Sequence, residues 1–176
     1  MNKKHFLNLA TFNVWANKKI MDFISGHIND SIADKEIPSS FPSIRKTVYH
    51  IWDAENIWLE RLRGYSPKEF VSLNFKETFS EGLEKFSENS NMLHSFLFGK
   101  DDSYFDGMVS YTHTSGKFYS QRIDDVLTHV FNHGTFHRGQ LITMFRQLGI
   151  NNGIPETDFI EYCREKEQQQ VAARYE

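Results

Sequence analysis

The sequence predicts an all-α fold: a four-helix bundle with a short β-hairpin inserted before the fourth helix and a further helix at the C-terminus. Three observations carry the prediction. Four long segments repeat apolar residues at spacings of three and four, one aromatic segment breaks that period around a glycine-containing turn, and no polar stretch is long enough to serve as a linker to a second domain. With 176 residues, 39% of them hydrophobic and 24% charged, and only 10 Gly and 4 Pro, the chain reads as a single domain over residues 1–176 and falls outside the disordered and collagen-like classes.

The first helix covers residues 4–27, where Phe6, Leu9, Ala10, Asn13, Ala16, Ile20, Phe23, Ile24 and His27 form one stripe. A polar stretch from Asn29 to Ser40 leads to Ser43, a side chain suited to cap a helix whose stripe runs through Ile44, Val48, Ile51, Glu55, Trp58 and Leu62 and stops near Gly64. A third helix is expected over residues 76–98, on Phe79, Leu83, Phe86, Met92, Leu93, Phe96 and Leu97. Residues 103–122 set Tyr104, Phe105, Val109, Tyr111, Phe118 and Tyr119 around Thr114-Ser115-Gly116, the pattern of a hairpin. The fourth helix runs from Ile123 to Leu148 and ends at Gly149; Gly139 inside it costs about 1 kcal/mol against alanine, so a close helix approach is expected there. Ile154-Pro155-Glu156-Thr157-Asp158 opens a last helix, whose polar tail from Glu165 to Glu176 is expected to fray.

Charge and composition narrow the function classes. Twenty Lys and Arg against 23 Asp and Glu give a net charge of -3, so there is no basic footprint for nucleic acid. The single cysteine, Cys163, cannot form an internal disulfide, which fits a reducing compartment and a cytoplasmic location. The first residues lack a cleavage site and read as mature protein, and no run of apolar residues is long enough to span a membrane.

The chemistry concentrates in the histidines. Eight of them in 176 residues is a frequency of about 0.045, at which a run at i, i+4 and i+8 is expected on the order of 0.02 times per chain. His129, His133 and His137 form such a run and stack on one face of the fourth helix. His133 and His137 fall within or beside its apolar stripe, where a buried imidazole needs a partner. One helix offering two imidazoles four residues apart is a metal-ligand spacing, and the third ligand must come from elsewhere. His50, at the edge of the second helix's stripe beside Ala54, Ile57 and Arg61, is the candidate. Three neutral imidazoles leave positions open for water or substrate. His129 with His133 is an alternative ligand pair. Glu55 either accepts a hydrogen bond from a ligand's far nitrogen or pairs with Arg138. His5, His27, His94 and His113 show no grouping. The imidazole set leaves the ion's identity open.

Asn132-His133-Gly134-Thr135-Phe136-His137-Arg138-Gly139-Gln140, ahead of Arg-Gln-Leu-Gly, resembles the helix-four signature of the DinB-like family of bacterial damage-inducible metal proteins. Asn13-Val14-Trp15-Ala16-Asn17, Thr47-Val48-Tyr49-His50-Ile51 and Pro155-Glu156-Thr157-Asp158-Phe159 match its pattern too, so the likeness spans nearly the whole chain. The resemblance implies up-down-down-up connectivity, a homodimer, and a divalent ion held by residues that map onto His50, His133 and His137; zinc, nickel, iron and manganese all stay open as that ion. In the wider superfamily, bacillithiol transferases and mycothiol-dependent isomerases bind a low-molecular-weight thiol at this site. The expected function is therefore a metal-dependent thiol S-transferase or hydrolase acting on a small electrophile, with Arg138 and Tyr162 as candidate substrate contacts. The alternatives are a non-catalytic, dimeric metal-binding stress protein, and a bundle whose histidines merely hydrogen-bond to each other.

Overall fold

In the computed structural model, which describes residues 3–173, six helices and one hairpin follow in the order α1 (Lys3–His27), α2 (Asp30–Ala33), α3 (Ile44–Leu62), α4 (Phe79–Phe98), β1 (Met108–Thr112), β2 (Phe118–Arg122), α5 (Ile123–Gln147) and α6 (Phe159–Ala172). The four long helices α1, α3, α4 and α5 are the four read from the sequence. Their ends follow local chemistry. Ser43 accepts from the Lys46 amide at 3.1 Å to start α3. Gly64 and Gly149 take the left-handed backbone, at φ 91° and 79°, just beyond α3 and α5.

Several boundaries differ from the periodicity. α4 starts at Phe79 rather than 76, because Thr78 and Glu81 form a reciprocal capping box that fixes the first turn. The polar stretch after α1 holds the one-turn α2, capped by Asn29 and tied to α3 by Arg45, which bonds to both Asp30 and Asp34. The hairpin is shorter than residues 103–122: Asp102–Asp106 is a 3-10 turn, and the paired strands put Tyr111 opposite Tyr119 across a turn with Gly116 at φ 85°. The polar tail stays helical through Ala172, and residues 174–176 lie outside the described residues. A close approach exists in α5, but at Gly134 rather than Gly139. A Cβ at Gly134 would lie 2.9 Å from Arg138 Nη1 and 3.1 Å from Asn13 Oδ1, whereas one at Gly139 would meet nothing within 4 Å.

Cross-helix contacts give the connectivity. Asn13 reaches Arg138 and Phe23 packs on Phe145, so α1 and α5 run parallel. Tyr49 lies against Gly82 and Asn56 bonds to Asn89, so α3 and α4 are parallel as well. His50 meets His133 and His137 while Trp58 meets His129, so α3 and α5 are antiparallel. The result is an up-down-down-up bundle. The parallel pair requires a long crossover from α3 to α4, which Asp53 pins by accepting from the Ser72 amide at 2.9 Å and the Ser72 hydroxyl at 2.6 Å.

The core is split in two. Ile20, Ile24, Val48, Ile51, Phe86, Leu141 and Phe145 pack at one end, and Phe6, Ala10, Leu59, Leu93, Leu97, Leu127 and Val130 at the other. Between them, at matching heights on all four helices, lie buried Asn13, Asn17, Glu55, Ser90 and Arg138. The helix α6 docks on α1 through Tyr162, Phe12 and Ala16. Among the described residues, no helix is long and apolar enough to cross a membrane.

Candidate metal centre

The i, i+4 spacing on α5 stacks His133 over His137 with ring centroids 4.4 Å apart. The antiparallel α3 brings His50 to within 4.7 Å of the first ring and 4.6 Å of the second, centroid to centroid. One potential ligand atom from each of the three lies within 4.8 Å of the other two. His50 Nε2 and His133 Nε2 are 2.9 Å apart, a separation that two nitrogens about 2.1 Å from one ion share when they meet it near a right angle.

The surroundings suit the neutral, ligating form of imidazole. Burial lowers the pKa of His50 to about 4 and that of His133 to about 3, with the neighbouring histidines adding to both shifts. Burial also lowers that of His137, against the opposing pull of a hydrogen bond to Gln140. In that bond His137 Nδ1 lies 2.7 Å from Gln140 Oε1, so Nδ1–H donates to the amide oxygen and the lone pair is left on Nε2. Phe41, in the segment before α3, stacks on His50 at 3.7 Å and meets His137 edge-on at 5.6 Å. Exposed Phe136 lies against His137 on the other side, at 5.0 Å. Three uncharged nitrogen donors on two rigid helices, screened by aromatic rings, are a donor set that fits a divalent transition ion.

The remaining sequence candidates are distributed differently. His129 is exposed, with its ring 5.6 Å from His133 and 5.9 Å from Trp58, and it stands outside the three-histidine group. Glu55 touches no histidine. Its Oε1 accepts from Asn13 Nδ2 and Asn17 Nδ2, both at 2.7 Å, and its Oε2 from the Ser90 hydroxyl at 2.8 Å. Burial pushes the Glu55 carboxyl up, while these bonds and the Arg138 charge pull it down. Arg138 does not bond to Glu55 directly: its Nη1 donates to the Oδ1 atoms of Asn13 and Asn17, each at 2.8 Å, and its Nη2 to the Thr135 hydroxyl at 2.9 Å. The two asparagine amides therefore relay between a buried carboxylate and a buried guanidinium. Tyr162 packs on Phe12 and Trp15 with its hydroxyl 3.3 Å from Asn8, and none of its contacts is with the three histidines.

Sequence reasoning missed Gln140 and Phe41. Gln140 lies three residues beyond His137, within one helical turn, and that spacing was the available signal. Phe41 had none, because its position depends on how the chain enters α3.

The sequence pattern described as the DinB family matches residues 1–170. The chain is 29% identical to Protein DinB of Bacillus subtilis (strain 168) over 146 residues, covering 80% of this chain and 84% of that protein. It is also 27% identical over 113 residues to a protein of the same organism named Uncharacterized protein YizA, covering 62% of this chain and 67% of that one.

Proposed function

Because this chain belongs to the DinB family, we propose that His50, His133 and His137 hold one divalent metal ion and that the chain is a metal-dependent thiol S-transferase or hydrolase. The observation that carries this reading is the convergence of three imidazoles from two helices, each with a ligand atom within 4.8 Å of the others. A divalent ion held there lowers the pKa of a thiol or water bound to it and so supplies a nucleophile near neutral pH.

The chain's own residues serve that chemistry. Neutral imidazoles add no negative charge, so the ion keeps its full attraction for an anion. Gln140 holds His137 in one tautomer, and Phe41 and Phe136 limit the access of water to the ligand rings. In the transfer reaction the sulfur forms a bond to an electrophilic carbon, the leaving group departs with the bonding pair, and the thiol proton passes to solvent. The same reading takes a low-molecular-weight thiol and a small electrophile as partners, a homodimer as the assembly and the cytoplasm as the location.

The test is turnover by zinc- and nickel-reconstituted protein, with cysteamine against a panel of aryl halides and epoxides, and with water against activated esters. Metal-dependent turnover that is lost in His137→Ala supports the proposal. Stoichiometric metal with no turnover across the panel contradicts it and leaves a metal-binding module.

A further inference from the structure

Burying a guanidinium is costly; this fold does so completely at Arg138 and in large part at Arg61, whose Nε is cut off from water while its two Nη atoms keep a little contact with it. Arg138 is 1% exposed and, although its Nε lacks a partner, Nη1 and Nη2 make three hydrogen bonds and Glu55 supplies a counter-charge one asparagine away along each of two parallel paths. Arg61 is 4% exposed and has none of this. Its Nε is fully buried without a partner, and among the described residues its side chain makes no hydrogen bond and no ion pair. The acids that might have served are committed elsewhere: Glu60 pairs with Arg63, and Asp53 holds Ser72. What Arg61 does have is an aromatic corner. Its guanidinium carbon lies 4.6 Å from the Trp58 ring centre and 4.4 Å from that of Tyr111, and those two rings meet edge to face at 5.0 Å. Tyr111 is itself held by its hydroxyl, which donates to Gln121 Oε1 at 2.6 Å. Cation–π contact offsets part of the desolvation, but it fills none of the guanidinium's in-plane donor positions.

The location gives the cation a purpose. Arg61 continues the α3 face that carries His50, Ala54 and Trp58. The Trp58 ring that contacts Arg61 also contacts His129, which stacks toward His133. The aromatic and histidine rings thus run without a break from Arg61 to the three-histidine group. His50 and Arg61 are eleven residues apart, about 16 Å along the helix axis at 1.5 Å per residue.

We propose that Arg61 is a binding residue for the carboxylate of the small molecule that reaches the three-histidine group, so that this ligand is an extended, carboxylate-bearing compound of tripeptide size. A carboxylate offers two coplanar acceptors to the guanidinium fork and supplies the counter-charge that the fold withholds. The proposal rests on the reading of the histidines as a ligand-binding centre and adds the class of ligand.

The experiment separates the two. S-Methylglutathione carries two carboxylates and no free thiol, and is titrated by calorimetry into the full chain in its metal-free form. Binding to wild type is expected, weakened at least tenfold by Arg61→Met, whose apolar stem still packs on Trp58 and Tyr111, and recovered only in part by Arg61→Lys, which lacks the fork. The diamide of the same probe is expected to bind wild type as weakly as the acid binds Arg61→Met, a comparison that holds even where the variant does not fold. Equal binding of acid and diamide, equal binding by wild type and Arg61→Met, or no binding to wild type overturns the proposal. Because the probe has no thiol and the protein no metal, this result stands apart from the turnover test. A chain that binds the probe through Arg61 but turns nothing over retains the subsite and loses the enzyme.

Discussion

Glu55→Gln isolates one electrostatic term in the centre of the bundle. The introduced glutamine can keep its carbonyl oxygen toward Asn13 and Asn17 and turn its amide toward the Ser90 hydroxyl, which already accepts from Asn17; the Ser90 proton then loses its carboxylate acceptor, but the main change is the loss of the charge. Arg138, 1% exposed, then keeps a buried positive charge with no counter-charge in its network. Removing one partner of a buried ion pair costs ~3–5 kcal/mol, and because an asparagine amide stands between the charges on each of the two parallel paths the lower figure, about 3 kcal/mol, is expected. For a chain of this size that lowers Tm by about 6–12 °C. The assay is urea denaturation at pH 7 of the metal-free chain, followed by circular dichroism, for Glu55→Gln, Arg138→Met and the double variant. The double variant should recover at least half of the summed loss, since it removes both charges. A Glu55→Gln stability within about 0.5 kcal/mol of wild type, or strictly additive losses, would refute the relay.

Other outcomes follow from the same geometry. Gly134→Ala should destabilise by about 1–3 kcal/mol despite its better helix propensity, because the new methyl displaces Arg138 Nη1 or Asn13 Oδ1; Gly139→Ala, facing open space, should stabilise by up to about 1 kcal/mol, and denaturation midpoints of the two decide it. Gln140→Leu should weaken metal binding about 10–100-fold with little change in the stability of the metal-free chain, as read by competition with a chromogenic chelator. The metal-free chain should lose stability as pH falls below about 6.5, where imidazoles of the unfolded chain take up protons, until about 4 and about 3, where His50 and His133 do so in the fold. Above that window both states are neutral and the contribution is complete. Wild type should therefore lose more stability between pH 7.5 and 5 than His133→Phe does, and equal losses would contradict the assignment.

The parts of this architecture that were legible from sequence are those set by short-range periodicity. Phe6 to Ile24 and Ile44 to Leu62 announce helices because each repeats its apolar residues with the helical period, and the histidine column on α5 is visible for the same reason. His50 was within reach because a third ligand had to come from a facing helix and its position on the α3 stripe was suitable. Long-range polar chemistry was not legible. Asn13 reads only as one more position of the first helix's stripe and Asn17 only as part of a motif, although the two join Glu55 to Arg138 across three helices. The close approach was assigned to Gly139 when it belongs to Gly134, since a helical glycine's neighbours depend on which face meets α1. Arg61 looked like an ordinary helix-edge arginine, because burial without a counter-charge shows only once α3, α5 and the hairpin are packed together.

The central claim is that three histidines from two helices hold one ion, and metal content tests it most directly. Elemental mass spectrometry on untagged protein, for wild type, His50→Ala and His137→Ala, should find about one divalent ion per wild-type chain and its loss in each variant. No metal in wild type after incubation with zinc, nickel, manganese and iron salts, or full retention in either variant, would contradict it.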